Sequence, residues 1–267
     1  MKKTVLITGA SSGFGKEAAL LFHGRGWNVI ATMRSPEKET ELSAMPDVLV
    51  EKLDVTDEQS IKAAVKIGIE HFGQIDVLVN NAGYALIGVF ESATAQQISD
   101  QYQVNVFGLM SVTQAVLPVM RKQKSGIIVN ISSFGGVTAG QFSSLYNSSK
   151  FAVEGFSEAL SHELAFLNIG VKIIEPGSVG TNFRNGMTMI NNQITDYNGE
   201  LAALMQRYTS RTGHLAKATA GDVANTIYQA ATDGSAQLRY VVGEDAAFYI
   251  GLKQEYSEAA WVEIMRS

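Results

Sequence analysis

The chain has 267 residues, 46% hydrophobic and 18% charged, with a net charge of -5, the proportions of an ordinary folded protein long enough to bury a large core. That acidic balance, with no Lys/Arg-rich run, excludes a nucleic-acid surface, and the absence of cysteine excludes disulfides and thiolate metal sites.

The opening apolar stretch, Val5 to Ile7, is too short for a signal peptide or a membrane span, so no membrane association and a cytoplasmic location are expected. It reads instead as a buried strand running into Thr8-Gly9-Ala10-Ser11-Ser12-Gly13-Phe14-Gly15. From Lys16 the pattern turns helical, with Ala18, Ala19, Leu21 and Phe22 on one face. Strand, glycine loop and helix together make an anion-binding geometry. The glycines let the backbone approach a pyrophosphate, and the helix amino terminus offers N–H groups and the positive end of its dipole. The spacing is neither G-x-G-x-x-G nor a Walker loop, since Glu17 stands where Ser or Thr would hold magnesium.

Trp27 to Thr32 forms a second strand ending at Met33-Arg34-Ser35. An acidic residue here would bind ribose hydroxyls; Arg34 instead offers a guanidinium to a 2′-phosphate, and Ser11 or Ser12 a hydroxyl, so NADP(H) is favoured with NAD(H) as the alternative. A third strand spans Val48 to Val55 with Asp54 at its end, followed by a helix from Asp57 to Phe72. Ile75 to Val79 is the fourth strand and leads into Asn80-Asn81-Ala82-Gly83, whose amides can tie loops together or serve chemistry. A helix across Gln96 to Met120 carries Asn105 among Val104, Val106 and Phe107, an amide that needs partners once buried.

The fifth strand, Gly126 to Ile131, delivers Ser132-Ser133-Phe134-Gly135-Gly136. Tyr146 and Lys150 then head a long helix, where their i, i+4 spacing places phenol and ammonium on one face. A neighbouring cation favours the phenolate, which suits the pair to proton transfer. Val171 to Ile174 is the sixth strand and ends in Glu175-Pro176-Gly177-Ser178-Val179-Gly180-Thr181. From Asn182 to Lys217 the strand pattern lapses around a short amphipathic helix marked by Leu201, Leu204, Met205 and Tyr208, read as a lid or as an insertion packed on the body. A helix from Ala220 to Ala231, a seventh strand at Leu238 to Val242 and an apolar tail complete the chain. Strands alternating with helices predict an α/β doubly wound sheet, and every segment named above after a strand falls on the rim where such sheets bind ligands.

Thr8-Gly-x-x-x-Gly-x-Gly15, Asn80-Asn-Ala-Gly83, Ser133, Tyr146-x-x-x-Lys150 and Pro176-Gly-x-Val-x-Thr181 stand in one order, with Tyr146 thirteen residues after Ser133. With this set the chain resembles the short-chain dehydrogenase/reductase family over nearly its whole length. The resemblance implies a Rossmann-like sheet of seven parallel strands with helices on both faces, in one domain spanning 1–267. It also implies a catalytic tetrad of Asn105, Ser133, Tyr146 and Lys150, and it selects Ser133 over Ser132. The implied cofactor set is Gly9, Ser11, Ser12, Gly13, Phe14, Gly15, Arg34, Asp54, Val55, Asn81, Ala82, Gly83, Tyr146, Lys150, Pro176, Gly177, Val179 and Thr181. Within it, Lys150 lowers the phenol pKa and holds ribose hydroxyls, Asn105 holds a water, Thr181 anchors the carboxamide and Asp54 lies near the adenine.

The Arg34 region looks like the NADP-preferring members, and Arg239 to Gly243 is similar to hydroxysteroid and retinol dehydrogenase relatives. The implied reaction is hydride transfer to or from an alcohol, ketone or aldehyde in a homodimer or homotetramer. Phe90, Phe134, Phe142, Phe183, Met187 and Met189 near the rim suggest an apolar substrate. A non-catalytic dinucleotide sensor is the alternative, although a sensor has no need of the Ser, Tyr and Lys set.

Overall fold

The computed structural model describes residues 2–179 and 187–266. In chain order the elements are β1 (Thr4–Thr8), α1 (Gly13–Gly24), β2 (Asn28–Met33), β3 (Val48–Lys52), α2 (Glu58–Phe72), β4 (Val77–Asn80), β5 (Ala85–Ile87), α3 (Ala95–Tyr102), a π-helical segment (Gln103–Gly108) and α4 (Leu109–Gln123). They continue with β6 (Gly126–Ile131), α5 (Ser144–Leu164), β7 (Ile169–Pro176), β8 (Met187–Met189), α6 (Asn198–Thr212), α7 (Ala220–Thr232), β9 (Arg239–Val242), α8 (Glu244–Glu255) and α9 (Glu258–Arg266).

Seven strands pair in parallel in the order β3-β2-β1-β4-β6-β7-β9, the doubly wound sheet expected. Strand side chains alternate in direction, so each central strand feeds two cores. Val5 and Ile7 of β1, Val29 and Ala31 of β2, and Val77 and Val79 of β4 join the layer containing α1 and α7. Leu6, Ile30 and Leu78, between them, join the layer containing α2, α4 and α5. Leu6, Ile30, Leu78 and Ile128 are fully buried, and each contributes roughly 1.5–3 kcal/mol over an exposed side chain. Because every strand runs the same way, their carboxyl ends open onto one rim.

Local chemistry sets the helix limits near that rim. Asp57 caps α2 by accepting from Gln59 N and Ser60 N, and Gly73 closes it at φ 81°. The third strand stops at Lys52 rather than Val55 because Asp54 turns the chain, accepting from Thr56 N at 3.0 Å and Thr56 Oγ1 at 2.8 Å.

The single helix expected over Gln96–Met120 is interrupted. Gln103–Gly108 widens to π geometry at the buried Asn105, and Gly108 packs where an added Cβ would stand 2.8 Å from the Val55 side chain. By length and composition, the run Ala95–Gln123 is apolar enough to cross a membrane; in the fold its Val112, Val116 and Met120 pack on the sheet.

Two short strands lie outside the sequence pattern. β5 and β8 pair in parallel, Ala85 opposite Met187 and Ile87 opposite Met189. Leu86, Leu145 and Ile190 form a small core beneath them, so the chain beyond residue 186 is clamped to the segment after β4.

Candidate functional site

The glycine turn after β1 is held by side chains from its neighbour β4. Thr8 Oγ1 accepts from Asn81 N and Ala82 N, both at 3.0 Å, and Asn81 Nδ2 donates to Thr8 O at 2.9 Å and Gly9 O at 3.0 Å. Asn80 bridges further, from Nδ2 to Thr113 Oγ1 and Asn130 Oδ1, both at 2.9 Å. The structural part of the Asn80–Gly83 reading is therefore what these amides do: they tie strands and loops together.

Gly9 and Gly13 adopt φ of 68° and 55°, a region open to glycine at little cost. A Cβ at Gly15 would stand 2.5 Å from Gly9 O and from Asn81 Nδ2. Ser12 precedes α1 in extended conformation with no side-chain cap bond, and the first turn holds no acid. The first-turn N–H groups therefore face the turn without a protein anion, the polarity a pyrophosphate requires. Ser11 and Ser12 are exposed here. Ala10 N donates to Thr32 O at 2.9 Å, which ties the turn to the end of β2. Two residues on, Arg34 is exposed and makes no ion pair among the described residues, whereas Lys16 is engaged by Glu41 at 2.7 Å and Glu39 at 3.6 Å.

Asn105, Ser133, Tyr146 and Lys150 come together on the rim. Ser133 Oγ accepts from Gly135 N at 3.0 Å and donates to Pro176 O at 3.4 Å, and it stands beside the Tyr146 ring: a Cβ at Gly135 would lie 3.4 Å from Ser133 Oγ and 3.6 Å from Tyr146 Cε1. Lys150 is buried, donates from Nζ to Ile131 O at 2.8 Å and lies 5.9 Å from the Tyr146 ring centroid. Burial lowers the Lys150 pKa to about 8, partly opposed by the Glu154 carboxylate, so the amine is predominantly charged at pH 7. Burial also raises the Tyr146 pKa, with the Ser133 hydroxyl acting the other way.

The phenol thus departs from the expected lowering by Lys150. The Nζ bond is directed at Ile131 O, and desolvation is the largest influence on the ring hydroxyl. Neutral at pH 7, Tyr146 is a proton donor.

The Asn105 amide is engaged through both its oxygen and its nitrogen. Its Oδ1 accepts from Tyr84 N at 3.0 Å, and its Nδ2 donates to Tyr84 O at 2.9 Å and to Ser149 Oγ at 3.1 Å. These bonds clasp the backbone after β4 onto α5. Gly83 passes there in close contact: a Cβ would lie 3.1 Å from Asn105 Oδ1 and 3.8 Å from Lys150 Nζ, so a side chain would crowd both groups.

The exposed arginine, the glycine turn with its bare helix terminus, Gly83 and Lys150 line successive strand ends, β2, β1, β4 and β6–α5 in turn. That is a fit for an elongated dinucleotide with its redox end beside Tyr146. Asp54 and Val55 follow β3, the Asp54 carboxylate partly engaged by Thr56 and Val55 packed on Gly108. Phe14 is half-buried against the α1 layer. Gly177 lies so close to the Asp245 carboxylate that no side chain fits, and Val179 packs on the core beside it. Thr181 and Phe183 lie outside the described residues.

Several contributors escaped the sequence reading. Asn147, buried inside the Tyr-x-x-x-Lys motif, donates to Gly135 O at 2.8 Å and accepts from Gly140 N at 3.1 Å, shaping the loop that carries Ser133. Asp245, also buried, accepts from Ser178 N at 2.7 Å and Tyr208 OH at 3.2 Å, joining the loop after β7 to α6. A polar residue inside a helix head was the available signal for Asn147; Asp245 gave none.

The family model for short chain dehydrogenases matches residues 3–191, and the chain belongs to that family. An uncharacterized oxidoreductase of Schizosaccharomyces pombe is 39% identical over 236 residues, 88% of this chain and 98% of that protein. Human retinol dehydrogenase 8 is 40% identical over 190 residues, 68% of this chain and 60% of that protein. A short-chain dehydrogenase from Streptomyces avermitilis superposes with a TM-score of 0.86 at 33% identity, covering 98% of this chain and 96% of the other. The protein is an NAD(P)-dependent dehydrogenase/reductase, of a family that acts on small-molecule alcohols and ketones.

Proposed function

We propose that the protein reduces the carbonyl group of an apolar ketone or aldehyde, or oxidises the corresponding alcohol, with NADP(H) preferred to NAD(H). One observation carries the reading: Ser133 Oγ and the Tyr146 ring flank the same point at Gly135, with the buried Lys150 ammonium 5.9 Å from the ring centroid.

A bound nicotinamide would supply or accept the hydride. Gly9, Gly13, Gly15 and the α1 terminus would hold the pyrophosphate, Lys150 the adjacent ribose, and Arg34 a 2′-phosphate. Ser133 Oγ and Tyr146 Oη hold the substrate oxygen. In the reducing direction Tyr146 Oη gives its proton to that oxygen as negative charge develops there, and the Lys150 ammonium stabilises the phenolate left behind. Alcohol oxidation reverses the transfer, with Tyr146 Oη taking the hydroxyl proton.

The substrate's apolar part is supported by a cavity of about 390 Å³ lined by Gly88, Val89, Phe90, Glu91, Phe142, Tyr197 and Ser144, the last of these two residues before Tyr146 in sequence. Phe90 of this lining is exposed, as are Met187 and Met189 on β8, which pairs with β5 just before Gly88. Phe134 contributes differently, stacking on Tyr249 at 5.7 Å. Assembly into a homodimer or homotetramer is supported by a groove between α4 and α5 lined by the half-exposed Phe107 with Met110, Leu117 and Phe156; sedimentation would test it.

Tyr146→Phe tests the assignment. It should reduce kcat by at least about a thousandfold while cofactor affinity stays within about threefold. Substantial residual turnover in a screen of ketones and aldehydes with NADPH would refute it.

A further inference from the structure

One helical turn beyond Lys150, α5 carries Glu154, only 5% exposed. Its Oε2 accepts from Arg239 Nε at 2.9 Å, and the same guanidinium bonds Glu158 Oε2. Glu175 on β7, 2% exposed, brings Oε1 to 3.5 Å from Arg239 Nε, an ion-pair distance without a hydrogen bond. One cation therefore faces three carboxylates.

Glu154 Oε1, Glu175 Oε1 and Ser132 Oγ are buried with no hydrogen-bond partner. Glu154 and Ser132 meet at Gly136, where a Cβ would stand 2.6 Å from Ser132 Oγ, 3.0 Å from Glu154 Cγ and 3.1 Å from Lys150 O. The Lys150 ammonium bonds the carbonyl of Ile131, the residue before Ser132. A buried, underneutralised carboxylate and the reaction's ammonium thus share one low-dielectric layer.

Other charged or titratable groups on the elements packed here are committed elsewhere. Lys253 of α8 donates to Val137 O at 2.6 Å, Tyr102 of α3 to Ser148 Oγ at 2.8 Å, and Lys172 of β7 to Ser235 O at 2.6 Å.

We propose that Glu154 is a positioning residue for the reaction: its buried carboxylate, held by Arg239 and flanked by Glu175, keeps the Lys150 amine charged over the pH range in which Tyr146 transfers protons. Nothing is consumed in this step; the carboxylate acts at a distance on the equilibrium between ammonium and free amine. An opposite charge in a buried layer favours the charged amine, and burial opposes it. The Glu154 carboxylate does act in that sense on Lys150. Glu175 takes the burden of like charge, since burial and then Glu154 push its pKa up to about 7, and Arg239 Nε lies at 2.9 Å from Glu154 against 3.5 Å from Glu175. The role rests on the Tyr146–Lys150 assignment above.

The test compares wild type with E154Q, E154D and E158Q in two measurements. One is the 13Cε shift of Lys150 against pH in cofactor-free protein; the other is the pH profile of kcat. E154Q should lower the Lys150 midpoint by about one pH unit and move the alkaline limb of kcat down by the same amount. E154D keeps the charge and should return both to within about half a unit of wild type, and E158Q should move neither. Should E154Q not accumulate, E154N against E154D makes the comparison at equal side-chain length. A Lys150 midpoint unmoved in the amide variant, or one that moves without the kcat limb, overturns the role. Tyr146→Phe run alongside separates the failures: if it stays active the reaction assignment falls, and if it is dead while E154Q matches wild type only the Glu154 role falls.

Discussion

Thr8→Val removes one oxygen and almost no volume, so its effect isolates the latch between the glycine turn and the segment after β4. The threonine is 1% exposed and its Oγ1 accepts two backbone N–H groups, Asn81 and Ala82, each at 3.0 Å. Valine leaves both donors without that acceptor, but Asn81 N still donates to Val79 O at 3.1 Å, so Ala82 N is the donor left stranded. A stranded buried donor costs about 1–3 kcal/mol; Ala82 is half-buried, so the low end, about 1 kcal/mol, applies. In a chain of this length that lowers Tm by roughly 2–4 °C. The functional consequence is larger than the thermal one, because the loosened backbone borders the pyrophosphate turn and continues to Gly83 beside Lys150. Cofactor Kd should rise about tenfold or more, while Thr8→Ser restores both Tm and Kd. Calorimetry with cofactor titration checks this. A T8V protein with wild-type Tm and Kd, or a T8S protein as damaged as T8V, would refute the latch.

Gly15→Ala places a Cβ 2.5 Å from the Gly9 carbonyl oxygen; backbone must move, and cofactor binding measured by fluorescence titration should weaken at least about tenfold with the far-ultraviolet spectrum unchanged. Arg34→Asp should cut the NADP-to-NAD ratio of kcat/KM by about ten- to a hundredfold, the value of one charge-assisted phosphate contact; an unchanged ratio removes the arginine from the phosphate site. Glu175→Gln probes linkage. The carboxyl holds its proton up to about pH 7 when folded, against a reference of 4.5 unfolded, so the native state binds the extra proton between those values and wild type loses stability as pH rises through that window. The loss amounts to roughly 3 kcal/mol at most, and urea melts at pH 5 and pH 8 should show it in wild type and a much smaller change in E175Q.

The sheet was legible because parallel strands are buried on both faces and therefore read as short continuous apolar runs between glycine and polar turns. Strand ends erred where a side chain, as at Asp54, stopped pairing early. β5 and β8 had no such signature: three residues each, they exist because Ile190 and Leu86 share a small core with Leu145, a tertiary fact. The π-helical segment was invisible for a related reason. Hydrophobic spacing on either side of Asn105 continues a helical period, and only the bonds from its amide to Tyr84 and Ser149 reveal the widening. In the site, motif residues could be named from order and spacing, but not their electrostatics. Tyr146–Lys150 suggested a lowered phenol, and desolvation, which spacing does not encode, raises it instead.

The arrangement of buried charge says why the site is built on α5 rather than on loops. Lys150 and Glu154 sit in one helix at i, i+4, and Glu175 on the neighbouring β7; each ionisable group here is disfavoured by burial and so subtracts from stability. Loops with freedom to move would expose these groups and restore their ordinary pKa values. A 21-residue helix packed on β7 and continuous with the core through Leu160 and Leu164 denies them that relaxation. The perturbed proton affinities of Tyr146, Lys150 and Glu175 are thus sustained by apolar packing roughly three and four turns beyond Lys150. Truncating Leu160 to Ala should therefore do more than lower Tm by the cost of a cavity: it should move the Lys150 midpoint upward, towards its solvated value, as water reaches the loosened helix.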